Sequence, residues 1–279
     1  MQSSGPIDRD GNKPGAALNL GPPLAATLAA RGIATLRYDR RGVGATPGDW
    51  RAAGFVDNRR DAAAALHTLN AHPDISAVAL IGHGEGAVHA MALAPRAHAA
   101  VLLAGYARQG EDVLRRQGRS VTRGLPVPGF LLRALGTAAL NRLKATDTDV
   151  ARLAGIPVNA RWQREFLVHD SREDLARIHV PVLAVTGDND LRVDPADLEV
   201  IRRLVPGHVE TARIPRLTHL LRIDNEHHTR RSYRRLLREP VDVRLLDMIA
   251  DWLHHAWFRE GRSAPAERVF RPRISTAKA

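Results

Sequence analysis

The chain has 279 residues, 44% of them hydrophobic and 25% charged, enough for the core of one large α/β domain or two small ones. It holds no cysteine, which excludes disulfides, thiolate metal sites and a cysteine nucleophile. The formal net charge of +11 is almost all arginine, with lysine only at Lys13, Lys144 and Lys278; the arginines are spread along the chain apart from a cluster at 230–235, no nucleic-acid motif accompanies them, and no nucleic-acid partner is expected.

Taken in chain order, the N-terminal stretch MQSSGPIDRDGNKPG has no apolar h-region. No secretory signal is expected, and a cytoplasmic location is the default reading. Residues 22–30 form an Ala/Leu run stopped by Gly32, which predicts a helix. IATLRY (33–38) predicts a first strand. Residues 57–70 place Ala62, Ala65, Leu66 and Leu69 on one helical face and end before His72-Pro73. AVALI (77–81) predicts a second strand, 86–94 a short helix closed by Pro95, and AVLL (100–103) a third strand. Residues 105–177 then show no strand pattern but helical pieces at 110–117, 130–143 and 159–168. That is too long for a plain loop, so a helical cap is expected over about 106–177. VPVLAV (180–185) predicts a fourth strand, VETARI (209–214) a weaker fifth, and 241–258 a long amphipathic helix. Residues 260–279, rich in Arg, Pro and Ser, read as a loose tail. No apolar run approaches the length of a membrane span, so no membrane partner is expected.

Near-continuous apolar strands suit a sheet buried on both faces, and their alternation with helices predicts a mostly parallel, doubly wound α/β domain over 1–259. The turn VALIGHGEGA (78–87) joins the second strand to a helix in the layout of a nucleophile elbow. Gly82 and Gly86 fill the flanking positions, where a side chain would collide across the tight turn, and His83 precedes the centre. The centre is Gly84, which offers no nucleophile. Glu85 is a poor substitute, because one of its own flanks would be His83; it reads instead as the start of the helix, with its N–H as an oxyanion donor. Two candidates follow in the order acid, histidine. Asp190 lies past the fourth strand in TGDND, with Asp188 the weaker choice, and His219 lies in PRLTHL past the fifth. Each alone is unspecific, since a strand-end Asp is usually a turn former and the chain has 13 histidines. The other histidines show no ligand spacing, the pairs His227-His228 and His254-His255 facing different ways, so neither a metal nor a cofactor is expected.

Four stretches, SGPIDRDGN (4–12), LRYDRRGVGAT (36–46), IGHGEGA (81–87) and LTHLLR (217–222), together resemble the EstD-like bacterial carboxylesterases of the α/β-hydrolase superfamily over about residues 4–255. The resemblance implies an α/β-hydrolase fold and ester or acyl substrates. It makes Asp190 the triad acid and His219 the base, with Ser4-Gly5 supplying the second oxyanion N–H. In that family the elbow reads Gly-His-Ser-Glu-Gly, so Gly84 stands in the nucleophile's place. The resemblance also implies strands ahead of the SGP loop, whereas here Met1 is three residues before Ser4. The chain is therefore expected to be short of its natural start, a decayed copy, or closed by a different sheet arrangement, because unpaired backbone in a buried sheet costs about 1–3 kcal/mol per group. Four functions follow: an impaired esterase; a hydrolase in which Asp190–His219 activates water directly; a non-catalytic protein holding a small ligand under the cap; or a charge-driven binder of nucleic acid or acidic surfaces. The oligomeric state is not legible.

Overall fold

The apolar runs become strands only where each finds a neighbour. In a computed structural model, which describes residues 1–122, 128–153, 155–226 and 232–259, the chain begins with a small hairpin, β1 (Asn12–Lys13) and β2 (Ala16–Ala17), turning through Pro14 and Gly15 at φ 76°. Helix α1 (Gly21–Ala29) and helix α2 (Phe55–Asn70) follow. The elbow comes next as β3 (Ala79–His83) and α3 (Glu85–Leu93), and then β4 (Ala99–Leu103). The insertion holds α4 (Gly110–Thr122), α5 (Gly129–Lys144), β5 (Val150–Leu153), β6 (Ile156–Asn159), α6 (Ala160–Val168) and α7 (Ser171–Leu175). The chain returns through β7 (Val182–Gly187), α8 (Asp197–Leu204) and β8 (Val209–Ile214), and continues into α9 (Ser232–Leu236) and α10 (Val243–Arg259). His227, His228, Arg230, Arg231 and the expected tail at 260–279 lie outside the described residues.

The main sheet is parallel, in the order β3-β4-β7-β8. Its middle strands are buried on both faces, as the unbroken apolar runs require. Side chains alternate across it. Ala100, Leu102, Val182 and Ala184 pack under α3 with Ala87, Ala90 and Met91. Ala99, Val101, Leu103, Leu183 and Val185 pack against Leu245, Ile249 and Leu253 of α10. Truncating one of these fully buried leucines to alanine removes about 2–5 kcal/mol.

Two expectations are corrected. Residues 33–38 form no strand and are largely solvated, with Leu36 43% exposed. The reason is positional. Strand β3 is the edge of the sheet on that side, so IATLRY has no partner to complete its hydrogen bonds. Between the two segments lies a cavity of 520 Å³, floored by Leu24, Leu28, Ala62, Leu66 and Leu69. Met1 occupies part of the lane beside β3: its nitrogen donates to the Ile81 carbonyl (2.7 Å) and its carbonyl accepts from His83 N–H (3.1 Å), the pattern of a parallel neighbour. The second correction concerns the insertion, which contains the antiparallel β5–β6 hairpin as well as helices, with Gly155 at φ 80°. Its strands are short, half-exposed and interrupted by Pro157, so they carry little of the apolar signal that marks the main sheet. The insertion is joined to the body through Phe55 of α2, whose ring meets Trp162 and Phe166 of α6.

Candidate active site

The elbow is tight enough to dictate its glycines. A β-carbon on Gly82 would overlap the Gly86 carbonyl, and one on Gly86 would overlap the Met1 carbonyl. Gly84 sits at φ 57°, ψ −116°, a conformation glycine enters without the steric strain of a β-carbon. Its N–H is held by the Leu103 carbonyl at 2.9 Å. Glu85 follows as the first residue of α3, so its N–H has no acceptor within the helix.

The two later loops converge on this turn. His219 Nδ1 donates to Asp190 Oδ2 at 2.8 Å, and both side chains are buried. The other Asp190 oxygen accepts from the backbone N–H groups of Arg192 (2.7 Å) and Val193 (2.9 Å). Burial opposes the Asp190 charge, but His219 and these two N–H groups outweigh it and hold the carboxyl below its usual range. Asp188 turns elsewhere and accepts from the Arg216 N–H, so it braces the loop without reaching His219. His219 lies in a self-bonded loop: Thr218 N–H donates to the Arg222 carbonyl (2.9 Å), and Leu221 adopts φ 59°. Buried Arg222 fixes this loop by donating to the carbonyls of Leu18 (2.6 Å), Leu220 (2.7 Å) and Glu239 (2.7 Å).

His83, the residue before Gly84, donates from Nε2 to the His219 backbone carbonyl at 2.9 Å, its ring 4.8 Å from the His219 ring. Burial, aided by the neighbouring His219, pushes its pKa down to about 3, so it stays neutral and acts as a strut. Glu85 is 1% exposed; Oε1 accepts from Arg40 (3.1 Å), Asn58 (2.8 Å) and His89 (3.0 Å). Burial alone would raise its pKa; the Arg40 charge first, then His89 and Asn58, overcome that and bring it to about 2. Arg40 also donates to the carbonyls of Ser3 (2.8 Å) and Gly5 (2.7 Å), tying the N-terminal loop to the elbow.

Ser4 and Gly5 line a cavity of 320 Å³ between the body and the insertion, together with Asn58, Leu114, Trp162 and Arg192. This is smaller than the cavity along the β3 edge, but it borders the loop that Arg40 binds to the elbow. Gly84, Glu85, Asp190 and His219 thus meet at one end of the sheet, with Ser4 and Gly5 on the adjoining loop. Residue-by-residue reading gave no role to Arg40, Asn58 or Ser3. Arg40 lies inside LRYDRRGVGAT, one of the stretches that carry the resemblance, and a buried charge there had to find a partner. Ser3 left no signal in the sequence. Among the described residues no cluster of His, Asp and Glu is arranged to hold a metal ion, and no helix is long and apolar enough to cross a membrane.

The chain is similar to several known proteins. The family description "Serine aminopeptidase, S33" matches residues 19–226. Esterase EstD of Thermotoga maritima is 26% identical over 271 residues; the match covers 91% of this chain, and the chain spans 60% of that relative's length. Among solved structures, Est1E of Butyrivibrio proteoclasticus with ferulic acid bound superposes with a TM-score of 0.60 at 15% identity, covering 90% of this chain and 87% of the other. A monoacylglycerol lipase of Paleococcus ferrophilus gives 0.58 at 14% identity, covering 91% and 93%. At such identities the structural likeness establishes the α/β-hydrolase fold.

Proposed function

Because the chain belongs to the serine aminopeptidase family of α/β-hydrolases, we propose that its site takes carboxylic esters and hydrolyses them slowly, with His219 as general base, Asp190 as its orienting acid and no nucleophile at Gly84. One observation carries the reading: the buried Asp190–His219 pair, 2.8 Å apart, stands beside an elbow whose centre has no side chain. The acid would hold the imidazole with Nδ1 protonated, and Nε2, which has no hydrogen-bond partner among the described residues, would take a proton from an attacking oxygen. Glu85 N–H, at the positive end of α3, and the Ser4-Gly5 loop are the proposed oxyanion donors. Loss of the elbow nucleophile predicts a weak enzyme, since triad enzymes stripped of that group keep only about 10³–10⁴-fold acceleration over water.

Short p-nitrophenyl esters test this. The purified chain should hydrolyse p-nitrophenyl butyrate measurably, and His219→Ala or Asp190→Asn should lower kcat by on the order of tenfold or more. No turnover by the parent chain would refute the reading. The 320 Å³ cavity supports a second one, a ligand-holding protein without turnover. Saturable binding of a non-hydrolysable ester analogue by an inert chain would favour it.

A further inference from the structure

We propose that Ser3 is the displaced nucleophile of this site: its hydroxyl occupies the space that an elbow side chain would fill and attacks the ester in its place. The proposal rests on the ester-hydrolase reading above and names the attacking oxygen that reading leaves open.

The geometry is specific. A β-carbon built on Gly84 would lie 2.5 Å from Ser3 Oγ, 3.1 Å from Ser3 Cβ and 3.6 Å from His219 Cε1. Ser3 Oγ and the His219 ring thus both lie within 4 Å of the point an elbow β-carbon would occupy. Ser3 is 3% exposed, and neither its Oγ nor the Nε2 of His219 has a hydrogen-bond partner among the described residues. A buried hydroxyl and a buried imidazole nitrogen left unsatisfied around one point are uncommon in folded chains and need an explanation. In the proposed reaction the two groups answer each other, the hydroxyl donating to the imidazole nitrogen. The backbone behind Ser3 is held for the purpose: Arg40 grips its carbonyl, and Met1 is paired to β3 two residues earlier. Gly84 leaves that volume to Ser3, since a β-carbon there would lie 2.5 Å from the hydroxyl in its present position.

The chemistry balances without a co-reactant. His219 Nε2 removes the Ser3 Oγ proton as the Oγ–acyl bond forms. The tetrahedral oxyanion collapses, the bond to the leaving alcohol breaks, and that alcohol departs with the proton from His219. Water then attacks the acyl-serine, His219 takes its proton, and collapse releases the carboxylic acid while the proton returns to Ser3 Oγ.

A fluorophosphonate probe tests the assignment directly. After labelling of the intact chain, peptide mass spectrometry should find the adduct on Ser3, and His219→Ala should abolish it; an adduct elsewhere, or none, overturns the proposal. Ser3→Ala should cut p-nitrophenyl butyrate hydrolysis at least tenfold. Hydrolysis that persists in Ser3→Ala but is lost in His219→Ala overturns the Ser3 role and leaves water as the nucleophile, while a parent chain without any hydrolysis or label sinks both readings. The absence of native cysteine supplies a further measurement, since Ser3→Cys would carry the only thiol. Its alkylation by iodoacetamide at pH 6–7 should be several-fold faster than in the Ser3→Cys/His219→Ala double variant. Equal rates would show that position 3 and His219 do not communicate.

Discussion

A β-carbon on Gly84 would lie 2.5 Å from Ser3 Oγ, so a serine introduced at position 84 has to displace that hydroxyl. At φ 57° a β-carbon also brings backbone strain, about 1–2 kcal/mol. Gly84→Ser alone should therefore lower stability by about that amount and gain little activity. The double variant Gly84→Ser/Ser3→Gly clears the crowded hydroxyl and should raise kcat on short esters by on the order of 10²-fold, given the size of nucleophile-deletion effects in triad enzymes. Stopped or steady-state kinetics on the single and double variants checks this; equal rates in the two would mean the crowding is unimportant. At this scale the sequence was readable where chemistry coincides with chain order. Asp190 and His219 follow strand ends, and loop length favours Asp190 over Asp188 as the carboxylate within reach of His219. Ser3 was not readable, because its place is set by Met1 pairing with β3, a contact between residues about 80 apart.

The elbow as an element depends on buried groups whose protonation is fixed by folding. His83 has a folded pKa of about 3 against an ordinary 6.5, so below pH 6.5 the unfolded chain takes up a proton that the folded chain refuses. Its contribution is full above pH 6.5 and is lost progressively as the pH falls toward 3. Glu85, at about 2 against 4.5, contributes fully above pH 4.5 and loses that contribution as the pH falls toward 2. Both push the same way. Urea midpoints should fall on acidification from pH 7, each group adding up to about 1.4 kcal/mol per pH unit within its window. His83→Gln should flatten the part between pH 6.5 and 4.5 and reduce the loss between 4.5 and 3 to that of Glu85 alone; an unchanged profile would show that His83 does not remain neutral. Strands and helices at the element scale were legible within a few residues wherever burial on two faces left an unbroken apolar run, as in β4 and β7. The failure at 33–38 has a clear origin: IATLRY has the composition of a strand, but pairing is a property of two segments. The β5–β6 hairpin was missed for the opposite reason, since it pairs well while burying little.

For the whole molecule, the consequential feature is the open edge of β3. The lane between it and residues 33–38 is apolar on its floor and carries the pairing of Met1 at one end. Five β-branched apolar residues joined ahead of Met1 should extend that pairing along β3 and raise Tm by several degrees, whereas a Gly/Ser extension of the same length should not. Equal Tm values for the two extensions would show that the lane does not accept a strand. Net charge, legible from composition, says less about function than its size suggests. Many arginines are engaged internally, as Arg31 with Asp247 and Asp251 and Arg108 with Asp194 and Asp197.

Arg222 reaches its three partners through main-chain carbonyls alone. Leu18, Leu220 and Glu239 present the same oxygen whatever side chain stands there, so those hydrogen bonds are indifferent to sequence drift at all three positions. The loop bearing His219 is thereby insulated from most neutral change in its surroundings, and its vulnerability is concentrated in a single arginine. Whatever residue stands at the centre of the elbow, His219 keeps its register on that basis for as long as Arg222 endures.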